Sequence, residues 1–372
     1  MRIAFYAPMK PPTHPVPSGD RRIGRLLIKA LRRGGHEVRL ASKLRSWDRG
    51  IDPANQQRIR SRGSQIADRL IEKWRDDRNR PQAWFTYHLY HKAPDWIGPP
   101  IASALGIPYI VAEASHAPKQ AEGRWSEGFL AAERALCQAT AIFALSEDDA
   151  SGLRAALGPN APIHRLPPFL DAGTYVHASH NRTVERARWF PDAGNVPIIL
   201  AVGMMRAGDK QASYTVLAGA MKRLSGRPWR LALVGFGPET DTILSLFDPD
   251  RIRHFGRMDP KEMAGLYAAA DLFAWPAVNE AFGMVLLEAQ AAGLPVVAGN
   301  GRGVPDIVDD GRTGLLTPVG AAEPFARAVE QLLDEPAQRL AMGKAAQRYV
   351  LGNHDLSAAV DRLNAVLDPL AS

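Results

Sequence analysis

Two rhythms of apolar positions alternate through the first half of the chain. The run "RIAFYAP" (2–8) is short and continuously apolar, as in a strand buried on both faces, and "RRIGRLLIKALRRGG" (21–35) follows it. There Ile23, Leu26, Leu27, Ala30 and Leu31 fall at helical spacing, and Gly34 and Gly35 end the pattern. "HEVRLAS", "AWFTYHLY", "IPYIVAEAS" and "AIFALS" read as further strands, with "PPIASALG" and a stretch near 126–140 as helices between them. Repeated strand–helix–strand units with glycine or proline punctuation predict an α/β fold built on a doubly wound parallel sheet.

Beyond "HRLPPFLDAGTY" (164–175) the pattern weakens into "VHASHNRTVERARWFPDAGN", which reads as an interdomain region. The alternation then restarts. "VPIILAVG", "WRLALVG", "RIRHFG", "DLFAWP" and "LPVVAG" read as strands, with helices near 212–225, 260–269 and 283–292 and an amphipathic helical tail. A length of 372 residues suits two domains. The expected division is a Rossmann-like domain over 1–170 and a second over 171–352.

Composition narrows the class. The chain is 46% hydrophobic and 23% charged, and no apolar run approaches the roughly 20 residues that span a bilayer. "MRIAFYAPMK" reads as a strand and not as a signal peptide, so a cytoplasmic protein is expected. The single cysteine, Cys137, excludes an intramolecular disulfide and is expected to be a buried structural thiol. A net charge of +7 favours anionic partners, and the basic residues concentrate in 20–35 and 58–80. The second segment, with Ile59, Ile66, Leu70 and Trp74 along one side, reads as a packed helix with a solvated basic face. A membrane-surface helix is the sharper alternative. Nucleic-acid binding is not expected, because no recognised module accompanies the charge.

Candidate chemistry collects in the loops after strands, where open parallel sheets bind ligands. "VGMMRAGDK" puts Arg206 and Lys210 beside a helix start, a pairing suited to a diphosphate. "VGFGPE" offers Gly235 and Gly237 for close backbone approach. "NEAFGMVLLEAQ" sets Glu280 just before a helix that Gly283 begins and Glu288 about two turns along it. Helix-start amides suit phosphates, and a carboxylate on an apolar helix needs a partner such as a vicinal diol.

Taken in order, "VGMMRAGDK", "LVGFGP", "HFGRM", "AAADLFAWPAVNEAFGMVLLEAQAAGLPVVA" and "GVPDIVDDGRTGLLTP" resemble the retaining glycosyltransferases of family 4. The resemblance implies the GT-B fold, with two Rossmann-like domains facing across a cleft, and "HDLSAAVDRLNAVL" as a final helix within 353–372 that packs back on the first domain. It implies transfer of a sugar from a nucleoside diphosphate sugar to an acceptor, which could be a glycan, a lipid-linked or a small-molecule acceptor. Glu280 would lie beside the donor sugar and Glu288 on the ribose. Arg206 and Lys210 would grip the diphosphate. Phe282, Gly283, Met284 and Val285 would supply backbone contacts, with Arg257 and Met258 at the base. In the first domain, Gly19 after Ser18 stands where the family often has adjacent glycines and would be donor-binding, at the phosphates. His116 in "EASHAP" resembles a family histidine near the transferred sugar, while His14 and His88 read as structural or acceptor-side. No cofactor and no metal are implied, since Arg206, Lys210 and helix amides can neutralise the diphosphate. A nucleotide-sugar epimerase and a catalytically silent nucleotide-sugar-binding scaffold are the competing readings.

Overall fold

The computed structural model describes residues 1–16, 18–50 and 52–371, so Pro17 of the first loop, Ile51 and the terminal Ser372 lie outside the described residues. The chain divides into two compact units. One is Met1–Pro167 together with the chain from Ala359 onward, and the other is Pro168–Ala358.

In the first unit, β1 (Arg2–Tyr6), β2 (Glu37–Leu40), β3 (Ala83–Leu89), β4 (Tyr109–Ala114), β5 (Ala141–Ala144) and β6 (Ile163–Arg165) form one sheet in the order β2-β1-β3-β4-β5-β6. Every pairing is parallel. Parallel strands need crossovers, and helices covering both faces explain why β1, β3, β4 and β5 are apolar almost throughout. On one face Phe5 stacks on Phe85 at 5.6 Å and Phe85 on Phe143 at 6.3 Å, tying three strands together. Helix Gly19–Arg33 starts where the Ser18 hydroxyl accepts the Arg21 amide and stops where the Gly34 amide reaches the Ala30 carbonyl. The returning tail joins this unit at the same place: the Asn364 side chain donates to the Gly34 carbonyl at 3.0 Å and lies 3.1 Å from His36 Nε2.

In the second unit, β7 (Ile198–Val202), β8 (Arg230–Val234), β9 (Ile252–His254), β10 (Leu272–Trp275), β11 (Val296–Gly299) and β12 (Gly314–Thr317) form another parallel sheet. Its order is β12-β11-β10-β7-β8-β9. Connections run to one side from β7 and to the other from β10, so the sheet has a topological switch point between those strands.

Two expectations need correction. The stretch read as interdomain forms two helices, Gly173–His180 and Arg182–Trp189, that pack on helix Pro260–Ala269 within the second unit. They are held by charge: Asp271 accepts from Arg182 at 2.6 Å, from Arg186 at 2.8 Å and from the Ile198 amide at 2.8 Å. Cys137 is exposed, because helix Ser126–Gln138 buries Ala132, Ala135 and Leu136 and turns the next residue outward. The basic segment is helix Pro53–Arg75, packed as expected: Ile66, Leu70, Ile71 and Trp74 lie on the first unit's core and the basic side faces outward. Among the described residues, no helix is long and apolar enough to cross a membrane.

Candidate functional site

At the switch point of the second sheet the loops leaving β7 and β10 meet. The first carries Gly203 to Gly208 into helix Asp209–Arg223; the second, Pro276 to Gly283, leads into helix Met284–Ala291. Lys210 on the first helix and Glu280 on the second loop form an ion pair, each side chain only about a fifth exposed. The Trp275 indole N–H points at the same Glu280 oxygen from 3.4 Å, and the Lys210 ammonium lies 5.4 Å from the Trp275 ring centre. Tyr214 packs edge-on against that ring at 5.0 Å and donates its hydroxyl to the Gly203 carbonyl at 2.7 Å. Burial pushes the Tyr214 phenol well above its ordinary value, so it stays a neutral donor. Two opposite charges are thereby held at fixed positions beside an aromatic wall.

The second loop is strained and firmly anchored. Ala277 and Asn279 both have φ of 54°. Such conformations persist only where the surroundings over-determine them. The Val278 amide donates to Ser213 Oγ at 3.0 Å, Asn279 Nδ2 to Asp209 at 2.8 Å, and Arg302 to Asn279 Oδ1 at 3.0 Å. Gly283 ends the loop at φ 65°, a conformation that favours glycine. Helix Met284–Ala291 starts at once; the Leu286 amide closes on the Gly283 carbonyl at 2.7 Å, and no side chain caps the amides of Met284 and Val285. That leaves donors and the positive end of the dipole beside Lys210 and Glu280.

The remaining candidates sit around this point. Arg206 is exposed on the first loop. Gly235 and Gly237 follow β8 and touch that loop from behind: an added Cβ on Gly235 would lie 1.8 Å from the Gly203 carbonyl oxygen, and one on Gly237 2.0 Å from that of Met205. Arg257 lies 5.5 Å over the exposed Phe236 ring, and Met258 is partly buried next to it in sequence. Glu288 is 5% exposed and accepts the Tyr267 hydroxyl at 2.9 Å. Phe282, Met284 and Val285 are half-buried at the helix start. In the first unit, Gly19 opens helix Gly19–Arg33 with free space around it, and His116 Nε2 lies 3.2 Å from Glu133 with its ring against Phe129. Trp275, Tyr214 and Tyr267 were not singled out by sequence. An aromatic in a buried strand or helix carries the same local signal whether it fills core or supports a site.

Two family models match the chain: "Glycosyl transferase 4-like domain" over residues 21–168 and "Glycosyl transferases group 1" over 196–335. The chain is similar to a D-inositol 3-phosphate glycosyltransferase of Corynebacterium aurimucosum, 47% identical over 120 residues, or 32% of this chain and 28% of the relative. It is also similar to a GDP-mannose-dependent alpha-(1-6)-phosphatidylinositol monomannoside mannosyltransferase of Mycobacterium tuberculosis, 31% identical over 212 residues and 54% of each chain. The chain thus spans about a quarter to about half the length of these curated relatives. In structure it superposes on sucrose-phosphate synthase from Thermosynechococcus elongatus with a TM-score of 0.75 and 19% identity, covering 99% of this chain and 98% of that one. That likeness is one of fold.

Proposed function

The chain belongs to the family 4, group 1 glycosyltransferases and has the GT-B fold, and from that premise we propose that it transfers a sugar from a nucleoside diphosphate sugar to a glycan or lipid-linked acceptor with retention at the anomeric carbon. The observation that carries this reading is the Lys210–Glu280 pair beside Trp275 at the open N-terminus of helix Met284–Ala291. A donor diphosphate would engage Lys210, Arg206 and the first-turn amides, and its sugar hydroxyls would engage Glu280. Glu288, oriented by Tyr267, would hold the ribose, and the base would lie towards Phe236, Arg257 and Met258. The acceptor hydroxyl would attack the anomeric carbon on the face that the diphosphate leaves. As the new C–O bond forms and the old one breaks, a donor phosphate oxygen takes the proton, giving a glycoside and a nucleoside diphosphate. The chain's contribution is positioning and charge stabilisation, with no metal required. His116 is assigned near the transferred sugar and Gly19 to the donor's phosphates. A cytoplasmic site of action, with the basic side of helix Pro53–Arg75 meeting anionic lipid, belongs to the same proposal.

The test is a thermal-shift titration with UDP, GDP, ADP and TDP on wild type and Glu288→Ala. A ligand at about 100 times its Kd stabilises by roughly 2.7 kcal/mol. One nucleotide is expected to raise the wild-type midpoint selectively, with affinity weakened by about 1.5–3 kcal/mol in Glu288→Ala. Unchanged nucleotide affinity in the variant would remove Glu288 from the ribose, and no shift with any nucleotide would favour the scaffold reading. Product formed from the donor sugar without acceptor would favour the epimerase.

A further inference from the structure

Five non-glycine residues among the described ones have a φ of 48–63°: His88 and Glu113 in the first unit, and Ala277, Asn279 and Arg302 in the second. The last three sit on the loops that leave β10 and β11. Asparagine tolerates this region because its short side chain can bond locally, but a long unbranched side chain has no such compensation. Arg302 is held at φ 48° between Gly301 and Gly303, so a third glycine there would have removed the strain.

No packing or ion pair offsets that strain. Arg302 is exposed, and among the described residues its guanidinium makes one hydrogen bond, from Nη1 to Asn279 Oδ1 at 3.0 Å. The next residue shows what the turn is pressed against: a Cβ added to Gly303 would lie 2.0 Å from the Ala281 carbonyl oxygen, in the segment that carries Glu280. Asn279 immediately precedes Glu280, and its amide is used at both ends. Oδ1 accepts from Arg302, which can only donate, and Nδ2 donates at 2.8 Å to Asp209, which can only accept. Asp209 in turn precedes Lys210. Three side chains, Arg302, Asn279 and Asp209, therefore join the loops after β11, β10 and β7, and the last two are the chain neighbours of the Glu280–Lys210 pair. Hydrogen bonds at the surface add little to folding stability, because water competes for the same groups. What a strained residue secures at such a place is position.

We propose that Arg302 is a positioning residue: through Asn279 it holds the Ala277–Asn279 turn in the conformation that presents the Glu280 carboxylate to the donor sugar. The assignment of Glu280 to a sugar rests on the glycosyltransferase reading; the placing of Glu280 by Arg302 does not. Without the guanidinium the turn relaxes from its positive φ, and Glu280 withdraws from Trp275.

The test is read at Trp275, whose indole N–H points at Glu280 from 3.4 Å. In a nitrogen–proton correlation spectrum of the intact chain with isotope-labelled tryptophan, the Trp275 indole signal is identified by its loss in Trp275→Phe. Arg302→Gly is expected to move that signal towards its position in Glu280→Ala, while Arg302→Lys, which keeps a donor, restores most of the wild-type position. The melting midpoint of Arg302→Gly should stay level or rise, because the strain leaves with the side chain. Asn279→Gly should move the signal likewise, and the double variant no further, since both residues act through one chain of bonds. Release of nucleoside diphosphate from UDP-glucose, UDP-N-acetylglucosamine or GDP-mannose, with water as acceptor, should fall about tenfold or more in Arg302→Gly for the donor that wild type turns over. An unmoved Trp275 signal, a midpoint several degrees lower, unchanged release, or additive effects of the two glycine variants overturns the proposal. If wild type releases nothing from any of the three donors, the glycosyltransferase reading loses support, and the tryptophan spectrum by itself decides whether Arg302 places Glu280.

Discussion

The second sheet, where its connections diverge, presents Lys210 and Arg206 with one glutamate, on loops packed so closely that Gly235 and Gly237 touch carbonyl oxygens of the neighbouring loop. The first sheet, at its own divergence, presents Asp20, His88 and Glu113, with open space around Gly19. One scaffold therefore places cations and backbone amides at one switch point and carboxylates at the other. The topology fixes where the two groups gather, and the side chains at the strand ends fix their charge.

The largest expected effect concerns the cationic side. Replacing Lys210 with methionine and Arg206 with alanine should lower turnover by about 10²–10³-fold or more while moving the unfolding midpoint little. Single-turnover sugar transfer checks this, and near-normal transfer would dissolve the assignment of that switch point to a diphosphate. Next comes packing. Gly235→Ala forces a methyl group 1.8 Å from the Gly203 carbonyl oxygen and should cost about 2–3 kcal/mol in urea denaturation. Gly19→Ala should stay within about 0.5 kcal/mol; equal costs at the two glycines would erase the contrast between a tight loop and an open one.

The smallest effect is on pH dependence at the acidic side. His88 is raised from 6.5 in the fold, so its stabilisation is complete below that value and is lost as pH rises through the folded value. Burial acts to raise Asp20, but the hydrogen bond and charge of His88, its own helix-start amide and Lys10 together lower it from 3.8, so its share is present above 3.8 and lost as pH falls further. Wild type should therefore lose stability relative to His88→Asn, a residue tolerant of positive φ, as pH rises above 6.5. Parallel pH profiles for the two proteins would show that the imidazole carries no such linkage.

The second sheet was far more legible than the first site. Glycines, a basic pair and two glutamates lie in short loops between strongly apolar strands, so local spacing alone brought Arg206, Lys210, Glu280 and Glu288 to attention. Glu288's partner Tyr267 lies on a different helix, 21 residues away, and only packing reveals it. Asp20, His88 and Glu113 meet across 68 and 25 residues of chain with no local motif, and their one sequence signal is an acidic residue in a helix's first turn. The helices over 173–189 were missed for another reason. Arg182 and Arg186 secure them to Asp271 by charge, and apolar periodicity does not register an ion pair.

The pairing of Leu170 with the segment around Asp355 has a topological consequence. The Leu170 amide donates to the His354 carbonyl at 2.9 Å and the Ala172 amide to Asp355 at 3.0 Å, so the second unit's entry and exit are stitched side by side. In terms of chain order, Pro168–Ala358 is a guest inserted into a host whose own last segment comes after it. Such a guest has neighbouring ends, which makes it a candidate for excision as one continuous peptide, for transplantation between hosts, and for circular permutation by a short bridge between those ends. The host cannot be cut out so simply, because its sequence resumes only after the guest has been completed.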